Sequence, residues 1–143
     1  MKAVNPYLNF PGTTEQAFLF YRSVFGGEFA VLQRFGDMPG GDQTSAQESN
    51  RIMHVSLPLP NGSVLMGTDA CESMGQKLIV GNNFSISLEC ESEAEVTKLF
   101  TALTAGGKAE MSPQNTFWGA FFAMGSDRFG TQWMMNYRYP RTA

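Results

Sequence analysis

Alternation of apolar and polar residues predicts a short strand at two points of the chain. One lies within residues 5–10 and ends at Pro11-Gly12, and the other lies within residues 86–90, where the same alternation returns 80 residues later. Self-similarity at a fixed offset is typical of one supersecondary unit that is used twice. We therefore expect two copies that share a core.

Each predicted strand is followed by an amphipathic helix that ends at a pair of glycines, Gly26-Gly27 or Gly106-Gly107. Thr13 can begin a capping box for the first helix and Ser92 for the second. Apolar residues recur at i, i+3, i+4 and i+7 in both helices, which predicts one buried stripe for each. The stripes are Ala17, Phe20, Tyr21 and Val24 in the first helix and Val96, Leu99, Phe100 and Leu103 in the second.

Three strand-like segments follow each glycine pair. They are residues 29–35, 52–59 and 63–69 in the first half and residues 108–111, 117–124 and 131–137 in the second. Turns at Pro60-Asn61-Gly62 and at 127–130 separate the last two segments of each half. Two helices with about eight strands predict an α+β fold with mainly antiparallel sheet, not a doubly wound nucleotide-binding fold.

A length of 143 residues suits a single domain, 1–143, built from two half-units. We place the first module at about residues 4–70, a linker at 71–82 and the second module at 83–138. The polar segment 37–50 is longer than most connections, so it is interpreted as a lid, a dimer arm or a floppy insertion.

The composition and charge of the chain exclude several classes of function. Apolar residues make up 43% of the chain, which indicates a folded protein with a large core. The net charge is −3 and the ten Lys and Arg residues are scattered, so we expect no nucleic-acid partner. Neither a signal-peptide core nor a run of about 18 apolar residues is present, which predicts a cytoplasmic protein with no membrane partner.

Three segments carry a family resemblance: FYRSVFGGE (20–28), MHVSLPLPNGSVLMGTDA (53–70) and TFWGAFFAMGSDRFGTQWMMNY (116–137). Together with the repeat, they resemble the PhnB-like branch of the vicinal oxygen chelate superfamily. That superfamily includes glyoxalase I, bleomycin-resistance proteins and extradiol dioxygenases. The resemblance implies two β-α-β-β-β modules that form a half-closed, cup-like sheet, commonly in a homodimer.

The resemblance also implies where metal ligands would lie. Metal-using members take a carboxylate four positions after a turn glycine, and here those positions are Met66 and Met134. The first-strand ligand positions fall at Asn5 or Pro6 and at Phe84 or Ser85. Because thioethers are soft, weak donors for the divalent ions concerned, we expect neither a metal nor another cofactor.

His54 is the only histidine and a tentative catalytic residue. If Met53, Val55 and Leu57 face the core, alternation turns His54 to the other side of the sheet, which the cup would make a cavity. There it could act as a general base or bind a ligand by a hydrogen bond. The alternative is a structurally satisfied or partly exposed histidine.

Other candidates are aromatic, thioether or amide side chains. Trp118 and Trp133 are the tryptophans expected to reach the cavity, although core packing is the usual fate of aromatic residues. Met66 and Met134 would give an adaptable wall or fill the core. Asn136 could orient a ligand, whereas Asn9 and Asn83 could equally serve strand ends or turns.

We therefore predict a dimeric protein that binds a small organic molecule, of the glyoxalase/bleomycin-resistance type but without the usual metal site. One alternative is a metal-dependent lyase or dioxygenase with an atypical site around His54, assisted by Asp69, Glu89 or water. The other is a structural or regulatory dimer whose cavity is filled by its own side chains. Methyltransferase activity is not expected, because such an enzyme ordinarily needs a glycine-rich turn on a largely parallel sheet.

Overall fold

The computed structural model describes residues 1–39 and 45–141. Contacts divide the chain into two compact units, Met1–Ile79 and Val80–Ala143. Each unit contains a strand, a helix and three further strands in that order, so the predicted α+β fold with two β-α-β-β-β modules is confirmed. The eight strands found in the described residues form two four-stranded sheets.

The elements of the first unit are β1 (Tyr7–Phe10), α1 (Thr14–Phe25), β2 (Val31–Arg34), the short helix α2 (Ala46–Ser49), β3 (Ile52–Pro58) and β4 (Val64–Asp69). Those of the second unit are β5 (Ile86–Glu89), α3 (Glu93–Thr104), β6 (Lys108–Asn115), β7 (Ala120–Ser126) and β8 (Gln132–Arg138). The predicted loop 37–50 lies partly outside the described residues, and its described part includes α2. No helix in residues 1–39 or 45–141 combines the length and the apolar character that a membrane span requires.

Both sheets have the same topology. The strand orders are β1-β4-β3-β2 and β5-β8-β7-β6. The first strand of each module pairs in parallel with the last, in a register that joins Tyr7 to Met66 and Ser87 to Met134. The remaining pairs are antiparallel, so both sheets are mainly antiparallel as predicted.

The two predicted turns form equivalent hairpins. Gly62 N–H donates to Leu59 O and Gly130 N–H donates to Asp127 O, each at 3.1 Å. Both glycines have a φ of 93°, a left-handed conformation that glycine adopts without the steric cost of a Cβ atom. The turn chemistry therefore ends the strands at corresponding points of the two modules.

Close helix packing identifies one face of each sheet. A Cβ atom added to Gly67 of β4 would lie 2.6 Å from Phe18 Cε1 of α1. A Cβ atom added to Gly125 of β7 would lie 2.6 Å from Thr104 Cγ2 of α3. Residues beside these glycines in the strand register share the helix-facing side.

The predicted helix stripes are partly correct. In α1, Ala17 and Tyr21 are fully buried, but Phe18 takes the place predicted for Phe20 and Val24, which are half-buried. In α3 the buried residues are Val96, Phe100 and Leu103, and Leu99 is half-buried.

One of the two predicted capping boxes is wrong. Thr13 makes no side-chain cap. Instead, Asp69 at the end of β4 accepts hydrogen bonds from Thr14 N–H at 3.0 Å and from Thr14 Oγ1 at 2.6 Å. The second helix is capped as expected, because Ser92 Oγ accepts from Glu95 N–H at 3.1 Å.

Candidate functional site

The side of the second sheet that faces away from α3 holds two of the predicted ligand-binding residues, Met134 and Asn136. In the register, Phe122, Asn136 and Glu89 lie directly opposite one another across β7, β8 and β5. The adjacent row with the same orientation, two residues along β8, contains Met124, Met134 and Ser87. We call these six residues the distal face of the second sheet.

Asn136 is the buried polar residue of this face, with only 8% of its surface exposed. Its Nδ2 donates to Glu89 Oε2 at 3.2 Å. Its Oδ1 is buried and has no hydrogen-bond partner in residues 1–39 and 45–141. The amide orientation follows from the carboxylate, because turning Oδ1 toward Glu89 would oppose two acceptors. An unpaired buried acceptor costs about 1–3 kcal/mol, so Asn136 is in an environment that favours an additional donor.

Aromatic side chains pack beside Asn136. Phe122 is 6% exposed. The Trp118 ring centroid lies 5.5 Å from that of Phe122, with an interplanar angle of 74°. Trp118 belongs to a turn in which Gly119 N–H donates to Thr116 O at 3.3 Å, and it remains 51% exposed. The turn thus places a half-exposed indole next to the distal face.

Trp133 lies on the opposite side of the same sheet. It is paired with Gly125, whose missing side chain accommodates α3, and it is 1% exposed. Its Nε1 donates to Asp127 Oδ2 at 2.9 Å. Alternation along β8 separates Trp133 from Met134 and Asn136. The expectation that Trp133 contacts ligand does not fit this core position, and we leave it out of the candidate site.

His54 lies on the first sheet, on the side that faces away from α1. Its Nδ1 lies 2.9 Å from Tyr7 Oη, and the two rings stack with centroids 5.6 Å apart. Tyr7 also pairs with Met66 across β1 and β4, so His54, Tyr7 and Met66 share this distal face. Burial raises the pKa of Tyr7, which keeps its O–H available as a donor to Nδ1.

A β-bulge changes the predicted facing of β3 at its start. Val55 and Leu57 are buried as expected, but the register shift between Gln33 and Arg34 brings Ile52 into the core in place of Met53. His54 keeps the predicted orientation because it lies beyond the bulge.

The donor chemistry does not fit the divalent metal centre of metal-using relatives. Met66 and Met134 occupy the last-strand positions and pair with Tyr7 and Ser87, none of which is an imidazole or a carboxylate. Asn5, a predicted first-strand position, uses its Oδ1 to accept from a backbone N–H. Within residues 1–39 and 45–141, no three His, Cys, Asp or Glu side chains are grouped so that they could hold a metal ion.

Asp69, considered above as a partner for His54, has a structural role. Besides its contacts with Thr14, its carboxylate accepts from Gly12 N–H at 3.1 Å and from Ile52 N–H at 2.8 Å. Asp69 is two residues from Gly67 along β4, so both lie on the helix-facing side of the sheet, whereas His54 lies on the distal side. This placement does not favour an atypical metal site made from His54 and Asp69.

Neither cysteine is an activated nucleophile. Burial raises the pKa of Cys71 and, aided by the Glu95 carboxylate, raises the pKa of Cys90 to about 11. Both thiols are therefore protonated near neutral pH, where a nucleophilic cysteine would need its thiolate. Asn9 and Asn83 are exposed, and Asn83 lies outside the strands.

Residues 2–136 match the protein family described as 3-demethylubiquinone-9 3-methyltransferase. The chain belongs to this family. Among its relatives is Protein YjdN of Escherichia coli strain K12, which is 33% identical over 141 residues that cover 93% of both chains.

Solved structures place the family within a wider fold group. Protein PA1353 from Pseudomonas aeruginosa is 36% identical, with a TM-score of 0.84 over 96% of this chain and 98% of that one. A PhnB protein from Bacillus cereus is 23% identical, with a TM-score of 0.77 over 95% and 99% of the two chains. A glyoxalase/bleomycin resistance protein/dioxygenase family enzyme from Burkholderia phytofirmans PsJN shares the fold, with 20% identity and a TM-score of 0.63 over 96% and 100%. The predicted resemblance to the PhnB-like branch is confirmed for the fold, which this chain shares with the PhnB protein and with the glyoxalase/bleomycin resistance protein/dioxygenase family enzyme.

Proposed function

We propose that this protein binds a small organic molecule at the distal face of the second sheet, as a metal-independent member of the glyoxalase/bleomycin-resistance superfamily. The observation that carries the proposal is the unpartnered Oδ1 of Asn136, which is buried beside Phe122. Small-molecule sites are mainly apolar, with a few polar groups that orient the ligand. The distal face combines those two properties.

The apolar part of the proposed site comes from aromatic and thioether side chains. Trp118 offers a half-exposed flat contact surface that packs on the buried ring of Phe122, and Met134 adds a flexible, polarisable side chain next to Asn136. Aromatic and thioether groups bind carbon skeletons rather than hard cations. This composition supports an organic ligand in preference to a metal-bound substrate.

His54 and Met66 form a second ligand-contacting surface in this proposal, on the distal face of the first sheet. The Tyr7 hydrogen bond to Nδ1 holds the imidazole in one orientation, which suits a group that binds or transfers a proton. The competing function is metal-dependent lyase or dioxygenase chemistry around His54. It requires a stoichiometric divalent ion in the purified protein and an activity that chelation removes.

Calorimetric titration with indole tests the proposal. We expect saturable binding to the wild type, and binding at least about fivefold weaker to Trp118→Ala, because the substitution removes an aromatic contact worth about 1 kcal/mol or more. Phe84→Ala is the matched control. Phe84 is also an exposed aromatic residue, but it lies before the first residue of β5, whereas Glu89 at the other end of β5 pairs with Asn136. Absence of saturable binding to the wild type, or equal losses in the two variants, would contradict the proposal.

The same titration tests the second surface. If the distal face of the first sheet also binds indole, His54→Ala weakens that binding, whereas an unchanged affinity removes His54 from the proposed ligand-contacting residues.

A homodimeric state and a cytoplasmic location complete the proposal. The family resemblance supports the dimer, which light scattering of the purified chain measures directly. Two free cysteines, Cys71 and Cys90, are compatible with a reducing compartment.

A further inference from the structure

The row of the distal face that contains Phe122, Asn136 and Glu89 presents two acceptors, Asn136 Oδ1 and the Glu89 carboxylate, and this restricts the ligand class. One N–H of Asn136 Nδ2 donates to Glu89 Oε2, and Oδ1 is the buried atom of this side chain that has no partner among the described residues. The oxygens of a carboxylate such as that of Glu89 can only accept. A ligand that carried only acceptors would leave Oδ1 unpaired and would meet a negative charge.

The apolar groups restrict the ligand further. The rings of Trp118 and Phe122 meet edge to face, and the half-exposed indole of Trp118 can receive another ring. Its π face also attracts cations, which adds to the attraction of Glu89. Met134 is next to Asn136 on the same face and has three rotatable bonds, so its side chain can adjust to a ligand group beside Asn136.

We propose, on the basis of the proposed binding function, that the ligand is a planar aromatic compound bearing a cationic N–H donor group of the amidine or amine class. Its N–H groups bond to Asn136 Oδ1 and to the Glu89 carboxylate, while its ring packs on Phe122 and Trp118. The opposite class, an aromatic carboxylate, would be drawn instead to Arg138, the exposed cation two residues further along β8. The two classes therefore give opposite results in one experiment.

Benzamidine, benzamide and benzoate make a matched series of probes, because they share a ring and differ in donors and charge. Calorimetric titrations at pH 7 are expected to give benzamidine an affinity at least about tenfold above that of benzoate, with benzamide between them, since charge-assisted hydrogen bonds are the stronger ones. Equal or tighter binding of benzoate would overturn the assignment of ligand class while leaving the binding function intact. If neither indole nor any of the three probes binds, the binding function itself fails.

Two substitutions test which side chains produce the preference for benzamidine over benzoate. Asn136→Leu removes the acceptor at similar volume and is expected to reduce the benzamidine-to-benzoate ratio by about tenfold, while the exposed control Asn83→Leu leaves it unchanged. Glu89→Gln keeps the shape, removes the charge and lowers the same ratio, with the exposed Glu91→Gln as its control. If Asn136→Leu does not fold, the comparison of Glu89→Gln with Glu91→Gln and the titrations of the wild type with the three probes test the proposal. An unchanged ratio in Glu89→Gln would overturn the proposed contact.

Discussion

Asn136 and Thr68 occupy corresponding positions in the two modules, two residues after Met134 and Met66. The Thr68 hydroxyl donates to Ile52 O at 3.3 Å, whereas the Asn136 Oδ1 has no partner in the part of the chain that the structure describes. The same place in the repeat is thus satisfied internally in one module and unsatisfied in the other. At the scale of single residues, this difference separates a structural polar group from a candidate ligand-binding group.

The sequence predicts the facing of single residues only where alternation is unbroken. Met134 and Asn136 are predicted separately as ligand contacts, and alternation along β8 places both on one face of that strand in the structure. The same alternation argues against Trp133 as a neighbour of Asn136, but its aromatic character favoured a ligand role. Its partner Asp127 lies across the hairpin, a contact that strand periodicity does not reveal.

The Cys90 thiol is predicted to react slowly. Its pKa of about 11 lies two units above the ordinary value of 9.0, so its thiolate fraction at pH 8 is about a hundredfold lower. Mass spectrometry after iodoacetamide treatment should therefore find Cys90 labelled far more slowly in the folded protein than in guanidinium chloride. Labelling at the rate of the unfolded chain would show that the thiol is neither buried nor raised in pKa.

At the scale of elements, the start of α1 shows what local sequence rules omit. Thr13 is a standard capping residue, but Asp69, distant in sequence, supplies the acceptor for Thr14. A carboxylate that reaches the first turn of a helix satisfies free N–H groups and interacts favourably with the helix dipole. A non-local cap of this kind depends on the pairing of β1 with β4, which alternation alone cannot establish.

Packing of α1 on its sheet is predicted to require the absence of a side chain at Gly67. Gly67→Ala would place a Cβ atom 2.6 Å from Phe18 Cε1 and 3.1 Å from Leu8 O. Overpacking of this kind typically lowers the free energy of unfolding by about 1–3 kcal/mol. Urea unfolding followed by circular dichroism is the measurement, because both tryptophans lie in the second unit.

The control for this prediction is Gly81→Ala, where the nearest atom would be 3.9 Å from the new Cβ. Its free energy of unfolding should stay within about 0.5 kcal/mol of the wild type. Equal unfolding midpoints for the two variants would mean that α1 does not pack against β4 as described.

The ion pair between α1 and β2 is predicted to make a pH-dependent contribution to the free energy of unfolding. Arg34 donates to both carboxylate oxygens of Glu15, at 3.0 and 2.7 Å, and these hydrogen bonds lower the pKa of Glu15 below 4.5. A lowered folded-state pKa means that the stabilisation is present above the unfolded-state pKa and is lost as the pH falls through the folded-state value.

Glu15→Gln should accordingly lower the free energy of unfolding at pH 7 by up to about 1 kcal/mol, because the pair is partly exposed to solvent. The difference from the wild type should shrink below pH 4.5 and vanish once Glu15 is protonated. Glu28→Gln, whose side chain is 91% exposed, is the control and should show little effect at any pH. A Glu15→Gln difference that is independent of pH would contradict the electrostatic explanation.

At the scale of the whole molecule, the repeat was the most informative sequence signal. The order of strands and helices, the two glycine turns and the antiparallel character followed from periodicity and turn chemistry. The division of the strands into two four-stranded sheets could not be predicted from the sequence. Hydrogen bonds between strands that are distant along the chain produce no periodic pattern of residues. The candidate site was predicted in part for the same reason, since its rows of residues depend on register.

The family description names a methyltransferase, whereas the fold is a different kind from that expected for such an enzyme. Both sheets are mainly antiparallel, and each module pairs only its first and last strands in parallel. Proteins with many different functions can share one fold, so the fold alone does not identify the function of this chain. The chemistry of the distal face therefore carries the functional proposal.

The most direct measurement of the central claim is a nuclear magnetic resonance titration of the ¹⁵N-labelled protein with indole. Binding at the distal face of the second sheet predicts saturable shifts that are largest at the Asn136 side-chain amide and at Trp118 Nε1, with a smaller shift at Trp133 Nε1. Saturable shifts that omit Asn136 and Trp118, or no saturable shift at millimolar indole, would contradict the account.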